Sequence, residues 1–426
     1  MPLLVILTCT LAFGRLNVLN STAGAPQWGQ DLAFFHQWVH SAATGGPWAS
    51  PLILEPQGFF EQVHTHLIMP VVVTAYRLFP VQETLLWLHS LGAALVLWPV
   101  YRLGERIAGG RHAIMCCLAI TMFGPFQAVA TADFRPVVLF LPGIVGLWTS
   151  AHRGSTLGCL VWGLVALSGR QEASYLIAAS GIAMLFLRWG GCTRRLALVV
   201  IILGGISWVF FAAMKPQMFF HINPLAPNPW PDSSELWSQR SRFGLALLAS
   251  GWWLGLLRPA PLLAAAPVVY GMLATSREWH ALAGPGAHHH AFWLPFLVVA
   301  GVAGSARIKR EFGPLFLVLG GLFSFPWVAK TAGLESTVRL VERVPSDAAI
   351  AADYETIHRL AGRKVLWNVD QLYMEDRPYH WTEAWPLTVS DVDWVLAPSD
   401  HSVSRFLERW TVVAETETHT LWTRGP

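Results

Sequence analysis

Apolar segments long enough to cross a membrane recur through the first 330 residues of this 426-residue chain. A spanning helix needs about 20 mostly apolar residues, because the hydrocarbon core of a bilayer is about 30 Å thick. The pattern therefore predicts an α-helical polytopic membrane protein with about 11 transmembrane helices. The candidate segments lie near 1–19, 82–101, 112–130, 134–151, 155–170, 173–188, 196–214, 241–257, 260–275, 291–306 and 311–330. The fifth and sixth are short, so they could be two tilted helices or a broken hairpin.

The charges support this interpretation and divide the chain in two. Only 13% of the residues are charged, whereas soluble proteins carry about 25%. Residues 335–426 hold 15 acidic and 9 basic side chains, and residues 1–334 hold 11 acidic and 20 basic ones. We therefore expect a transmembrane domain at 1–334, with a long first external loop at about 20–81, and a small soluble domain at 335–426. This composition excludes a nucleic-acid-binding protein, a disulfide scaffold and a disordered chain.

The predicted soluble domain reads as a small α/β unit. Short apolar runs at 349–352, 364–367, 394–397 and 411–414 are typical of buried strands. Helical stretches, such as those at 354–360 and 402–410, separate them. No glycine-rich phosphate loop follows any of these strands, so we predict no nucleotide site here.

The positions of the arginines predict the orientation in the membrane, because cytoplasmic loops are rich in Lys and Arg. Eleven of the 20 basic residues of the transmembrane domain fall in short connections on one side, and nine of its 11 acids fall on the other. The N-terminus is then cytoplasmic and the C-terminal domain extracytoplasmic. Segment 1–19 could instead be a cleaved signal peptide, since small residues follow it, but no positive charge precedes its apolar run. Segment 66–80 is too short to span, and we expect a helix in or near the outer interface.

Cysteine and histidine are the residue types that could indicate a metal site, and the evidence for such a site is weak in both cases. The five cysteines lack ligand spacing to a second Cys or His, so we interpret them as packing thiols. Three consecutive histidines stand at 288–290, but adjacent side chains cannot all turn toward one ion from a helix. A single histidine that contacts substrate is favoured over a metal site. No cofactor is required by any motif, and a divalent metal stays open.

The outer connections hold the candidate functional residues, because ionisable groups at membrane depth are costly and mark sites. Each has a simpler structural alternative. Asp31 and Asp133 could cap helices, and Arg170 with Glu172 could form a local ion pair of little value. The candidates on this ground are Asp31, His66, Asp133, Arg135, Arg170, Glu172, Arg277 and His289. The resemblance described next adds Gln37.

The order of these motifs resembles that of a known group of proteins. Segments 31–37, 133–136, 170–172 and 288–295, with His66 between the first two, are similar to the motifs of an uncharacterised prokaryotic family of predicted polytopic membrane proteins. That family's motifs are Asp-Leu-Gly-x-Phe-x-Gln, His-Phe-x-Pro, Asp-Phe-His-Pro, Lys-Glu-Asp and a late His-Tyr. The resemblance covers most of the chain, and the family in turn resembles the GT-C glycosyltransferases.

This resemblance implies sugar transfer from a polyprenyl-phosphate donor at the outer face of a prokaryotic cytoplasmic membrane. Asp31 would be the catalytic base, the other candidates would bind substrate, and Lys215 or Arg277 could add positive charge for the phosphate. The partners implied are the lipid-linked sugar and membrane lipids. Three departures leave altered substrate use or lost activity open. Arg135 replaces a histidine, Gln171 replaces a carboxylate within 170–172, and no tyrosine follows His289 or His290. A lipid or solute transporter or flippase, and a non-catalytic envelope-assembly protein, are the alternatives.

Overall fold

The computed structural model gives the chain as a helical bundle followed by a small mixed sheet. The described residues are 2–23, 30–46, 48, 65–214, 251–274, 290–308, 312–323, 335–353, 356–363, 366–369, 392–401, 403, 404, 407 and 409–425. Within them, the first eleven α-helices are α1 Pro2–Ala23, α2 Gln30–Ala43, α3 Met69–Leu78, α4 Gln82–Ala94, α5 Leu97–Ala108, α6 Gly110–Thr121, α7 Gly124–Ala130, α8 Phe140–His152, α9 Thr156–Gly169, α10 Ala173–Phe186 and α11 Arg194–Met214. Four more follow: α12 Ala260–Ala274, α13 His290–Ser305, α14 Phe312–Phe323 and α15 Glu335–Val341.

The apolar segments of the sequence correspond to these helices, which confirms an α-helical polytopic membrane protein. Among the described residues, Leu3–Ser21, Gln82–Ala108 and Arg194–Met214 are long and apolar enough to cross a membrane, and α6 with α7 forms a fourth candidate bent by 68°. Several other apolar helices have 10 to 17 residues. Part of the predicted segment 241–257 lies outside the described residues. The count of eleven spans and the orientation stay predictions.

Close helix contacts in the bundle depend on small residues. A side chain added at Gly143 of α8 would meet the backbone nitrogen of Ala166 in α9 at 2.6 Å, and one added at Gly204 of α11 would meet that of Ala178 in α10 at 2.5 Å. Small residues at such crossings let the helix backbones approach closely. In a bilayer the hydrophobic effect does not drive helices together, so their association depends on this van der Waals packing. The helices that frame the candidate site are therefore tightly packed pairs.

Segment 66–80 forms the helix that the sequence predicts. Helix α3 has only ten residues, about 15 Å at 1.5 Å per residue, which is too short to span a bilayer. Met69, Val72, Val73 and Tyr76 lie buried on one face and share an apolar cluster with residues of α2. The position of α3 at a membrane interface stays a prediction.

The C-terminal domain contains a five-stranded sheet. Its strands are β1 Ile350–Ala352, β2 Leu366–Asn368, β3 Trp394–Pro398, β4 Thr411–Glu415 and β5 His419–Thr423. They lie in the order β2-β1-β3-β5-β4. Strand β1 pairs in parallel with β2 and β3, whereas β5 pairs antiparallel with β3 and β4. The four predicted runs all contain strands, and β5 was not predicted.

Candidate active site

Helix α2 brings Asp31 to the bundle. Its apolar stripe, Phe34, Phe35 and Trp38, is buried in a cluster that includes Phe134, so this face of α2 packs against the rest of the protein. Asp31 lies in the first turn of the helix, where an acidic side chain is favoured by the helix dipole. Its carboxylate reaches across to another element instead of capping its own helix, as described next.

The turn at 131–135 places two carboxylates around one guanidinium. Arg135 Nε donates to Asp133 Oδ1 at 2.7 Å, and an Arg135 Nη donates to the Asp31 carboxylate. The Asp133 side chain is only 4% exposed, whereas that of Asp31 is 31% exposed. Burial raises the pKa of the Asp133 carboxyl well above its ordinary value, and the Arg135 charge acts in the opposite direction. Asp31 is therefore the more accessible acid of the cluster.

Side chains from α1 and α4, which the sequence analysis did not select, fix this turn. His89 Nε2 donates to the Val129 carbonyl at 2.7 Å, and His89 Nδ1 accepts from the Arg135 backbone N–H at 3.3 Å. Asn17 Nδ2 donates to the Ala130 carbonyl at 3.1 Å. All three contacts join polar side chains within apolar helices to distant backbone groups, two at the end of α7 and one in the turn that follows it. The only sequence signal for them was a polar residue inside an apolar segment.

A second charged turn, 168–172, joins α9 to α10. Arg170 Nε donates to Glu172 Oε1 at 2.9 Å, and Arg170 Nη2 lies 2.8 Å from the same oxygen. The two side chains are only 14% and 4% exposed, so this local ion pair is largely removed from water. The Arg170 guanidinium also lies 5.4 Å from the ring centroid of Phe292 in α13, a cation–π distance.

The two turns are neighbours. A side chain added at Gly169 would meet the Pro136 carbonyl oxygen at 2.6 Å, so the backbones of the two turns nearly touch. His66 joins them to the first loop, because its Nδ1 lies 2.5 Å from the Gly169 carbonyl oxygen. The Phe35 ring packs edge-on against both His66 and Phe134, with centroids 5.4 Å apart in each case. Asp31, His66, Asp133, Arg135, Arg170 and Glu172 thus gather in one region.

Gln171, the residue in the place of a family carboxylate, has a structural partner. Its Oε1 accepts a hydrogen bond from the Thr65 backbone N–H, and the Ile68 N–H donates to the Ser168 carbonyl at 2.9 Å. A neutral amide oxygen therefore holds the segment before α3 against the second charged turn.

The remaining candidates lie elsewhere. Gln37 contacts the C-terminal domain: its Oε1 accepts from the Gly362 N–H at 2.9 Å, and its Nε2 donates to the Arg363 carbonyl. Arg277 and His289, as well as Lys215, lie outside the described residues. Within the described ranges, no group of three or more His, Cys, Asp or Glu side chains could hold a metal ion. In the first charged turn, the guanidinium of Arg135 binds both carboxylates.

Comparisons with known proteins agree with this architecture. Residues 26–219 match the model of a family described as predicted membrane protein, DUF2079. No curated protein matches the sequence.

The solved structures that are similar in fold include the following three. ArnT from Cupriavidus metallidurans bound to undecaprenyl phosphate has a TM-score of 0.58 and 11% identity, over 98% of this chain and 99% of that one. ArnT from the same organism in the apo state has a TM-score of 0.50 and 12% identity, over 93% and 94%. The archaeal oligosaccharyltransferase AglB from Archaeoglobus fulgidus, in complex with an inhibitory peptide and a dolichol-phosphate, has a TM-score of 0.52 and 11% identity, over 93% and 69%. The chain thus has the fold of the GT-C glycosyltransferases, and its residues 26–219 match a family of predicted membrane proteins.

Proposed function

We propose that this protein is a membrane glycosyltransferase that transfers a sugar from a polyprenyl-phosphate donor at the outer face of the membrane. The observation that carries the proposal is the position of Asp31. It is a partly exposed carboxylate that the Arg135 guanidinium holds beside the buried Asp133. A second arginine pair, Arg170 with Glu172, lies in the adjoining turn.

The similar structures favour a lipid phosphate as the donor's carrier. The crystal structure of ArnT has undecaprenyl phosphate bound, and the structure of AglB is a complex with a dolichol-phosphate. At 11% identity these likenesses concern the fold, so the lipid is carried to this chain as part of the proposal. Acidic and basic side chains gathered at the ends of apolar helices suit a reaction whose donor is held in the membrane by its tail.

The proposed reaction is a displacement at the anomeric carbon. Asp31 accepts the proton of the acceptor hydroxyl as that oxygen bonds to the anomeric carbon, which requires the carboxylate to lie about 3 Å from the oxygen. The bond from the anomeric carbon to the phosphate oxygen breaks, and the polyprenyl phosphate leaves with the electron pair. Asp31 suits the role of base better than Asp133, because a solvent-accessible carboxylate can meet an acceptor.

The other charged residues of the region have separate roles in the proposed reaction. Arg135 is shared by two carboxylates, so we assign it to orient Asp31. We assign the stabilisation of the leaving phosphate, where negative charge develops, to Arg170, with Lys215 and Arg277 as further candidates. His66 and Glu172 then orient the substrates, and Glu172 also holds the guanidinium of Arg170 in place.

The test compares sugar transfer in membranes that contain the wild type, Asp31→Asn or Glu83→Gln. Asp31→Asn retains the shape of the side chain but removes its basicity, so we expect a loss of at least about 100-fold, the low end of what a general base contributes. Glu83, in the first turn of α4, provides the same acid-to-amide change outside the cluster and should leave transfer within about twofold of wild type. Equal transfer by wild type and Asp31→Asn would remove Asp31 from the mechanism. No transfer by the wild type, with polyprenyl-phosphate sugars supplied, would favour a non-catalytic assembly protein.

A further inference from the structure

Helix α2 lies between the two domains. Phe34, Phe35 and Trp38 pack into the cluster shared with α3 and α4. Ala33, which is fully buried, belongs instead to the apolar core of the C-terminal domain with Ile350 and other residues of its sheet. One short helix thus contributes to both cores and carries the Asp31 carboxylate.

Gln37 is the polar link between α2 and the C-terminal domain. Its Oε1 accepts from the Gly362 N–H at 2.9 Å, and its Nε2 donates to the Arg363 carbonyl. The residue is only 4% exposed. The side-chain amide pairs with the backbone of this turn as a neighbouring strand would. Its removal would leave the Gly362 N–H and the Arg363 carbonyl without these partners, which is costly for buried groups. The amide is therefore occupied by the protein itself.

The turn that receives Gln37 is itself fixed. Gly362 has a φ of +95°, a conformation that glycine adopts without steric cost, and its Cα faces His36 closely enough that an added Cβ would lie 3.8 Å from His36 Cε1. The Arg363 guanidinium donates to the Val344 carbonyl at 3.1 Å and to the Pro345 carbonyl. The turn is thus anchored to the segment that follows α15, and it presents its backbone to α2 as a rigid surface.

Asp31 and Gln37 lie six residues apart on the same helix, about 9 Å along its axis and about 240° around it. The two side chains therefore point in different directions, toward Arg135 and toward the C-terminal domain. We propose that Gln37 is a positioning residue through which the C-terminal domain holds α2, and with it the Asp31 carboxylate, against Arg135. The inference deepens the proposed function, because it gives the soluble domain a role in setting the base.

The experiment measures amide hydrogen exchange on the full-length protein in detergent micelles, without substrate. Gln37→Leu removes both hydrogen bonds at similar volume. Gln37→Glu retains the acceptor for the Gly362 N–H and regains a donor to the Arg363 carbonyl only when its carboxyl is protonated. Thr44→Ala is the matched control just after the end of α2. The exposed Thr44 hydroxyl donates to the carbonyls of His40 and Ser41 within the last turn of the helix and not to the C-terminal domain.

We expect the amides of α2 and of the turn at 361–363 to exchange about tenfold faster in Gln37→Leu, since two hydrogen bonds of ordinary net strength are lost. Exchange in α8 to α11 should not change, and Thr44→Ala should match the wild type. Gln37→Glu should exchange fast at neutral pH and regain protection once its carboxyl is protonated, a change that burial at this site shifts above the ordinary pKa of Glu. The comparison is with Gln37→Leu at each pH, so that the titration of the neighbouring His36 cancels. Wild-type protection of α2 in Gln37→Leu would overturn the inference.

Sugar transfer by the same variants separates this inference from the proposed function. Gln37→Leu should lower kcat about tenfold with KM within about twofold, because the defect lies at the base and not in a substrate contact. A raised KM with unchanged exchange would make Gln37 a substrate contact and would overturn the positioning role. If the wild type transfers no sugar, the proposed function fails, while faster exchange confined to α2 and residues 361–363 still supports the coupling of the two domains.

Discussion

The two charged turns of the site use one sequence pattern in different ways. Both place an arginine two residues from an acid, and in both the acid is almost fully buried. In the first turn, Arg135 also reaches Asp31 on α2, 104 residues away along the chain. In the second turn, the described ion pair of Arg170 stays within the turn, with Glu172, and its guanidinium lies over Phe292.

The difference shows how an ion pair becomes part of a site. A local pair fixes only its own turn. A guanidinium that is shared by two carboxylates also holds an exposed carboxylate, here Asp31, beside a buried one, here Asp133. Asp133 is that anchor, and its cost of burial is offset because Arg135 and the contacts of His89 hold the turn in one conformation. In the proposed reaction, the first turn therefore positions the Asp31 carboxylate, and the second turn supplies positive charge for the leaving phosphate.

The largest expected effect follows from breaking the shared pair. Arg135→Met strands the buried Asp133 and releases Asp31, so we expect the free energy of unfolding in detergent to fall by about 3–5 kcal/mol, the usual cost of breaking a buried ion pair. Denaturant unfolding followed by tryptophan fluorescence measures it.

The double variant Asp133→Asn/Arg135→Met is the control, because it removes the stranded charge and should recover part of the loss. Arg170→Met also strands an acid, because Glu172 is as buried as Asp133, so the loss in Arg135→Met should be larger by the contribution of Asp31. Equal losses would contradict the distinction between the two turns.

The second prediction concerns the pH dependence of the free energy of unfolding, which His36 on α2 should affect. Burial, with a smaller contribution from His40, lowers the pKa of His36 to about 4, below the ordinary value of about 6.5, and His36 Nε2 lies 2.9 Å from the Tyr76 hydroxyl. The folded protein thus favours neutral His36. Its contribution to stability is full above pH 6.5 and is lost as the pH falls toward 4, by about 2 kcal/mol at pH 5.

The measurement is the free energy of unfolding of wild type and His36→Gln between pH 8 and 5. The variant should lack the part of the acid dependence that His36 supplies. Parallel curves for the two proteins would show that His36 titrates alike in the folded and unfolded states.

A double-mutant cycle tests which acid each arginine serves. We expect a coupling energy of about 1–2 kcal/mol between Arg170 and Glu172, and none above about 0.5 kcal/mol between Arg170 and Asp31. The same cycle for Arg135 and Asp31 should give a clear coupling. Equal coupling of Asp31 to both arginines would mean that the turns act as one charge cluster.

The smallest expected effect concerns His89, which contacts the first turn and the end of α7. His89→Gln retains one of its two backbone hydrogen bonds at best, so we expect a loss of about 1 kcal/mol in the free energy of unfolding. Ser90→Ala, at the next position of α4, is the comparison: Ser90 Oγ accepts from Asn17, so its loss should act on α1 more than on the turn. An unchanged unfolding midpoint in His89→Gln would show that Arg135 does not depend on His89.

The sequence predicted the elements better than their contacts. Apolar runs mark helices and strands because burial is a property of the segment itself, and the runs at 349–352 and 394–397 contain strands as expected. Strand β5 was missed because only two of its five residues, Leu421 and Trp422, are apolar. Its polar residues His419 and Thr420 become buried only when β5 pairs between β3 and β4.

Pairing between distant residues could not be predicted in the same way. Asp31 and Arg135 were each selected because charge is rare at membrane depth, but their ion pair depends on how α2 packs on the bundle. Gln37 was selected by resemblance as a substrate contact, and only the position of the C-terminal domain reveals the backbone of Gly362 and Arg363 as its partner. His89 lies within an apolar segment, and nothing in the sequence around it indicates a function. Its role depends on its contact with the turn that contains Arg135.

The central claim is that the region around Asp31 and the two charged turns holds a lipid phosphate. The most direct measurement is a cryo-electron microscopy structure of the protein with added undecaprenyl phosphate. We predict density for the phosphate within about 4 Å of the Arg170 guanidinium, a charge-assisted hydrogen-bond distance with some tolerance, and an open path from it to the Asp31 carboxylate. A lipid phosphate bound at another part of the protein, with this region closed by protein side chains, would contradict the account.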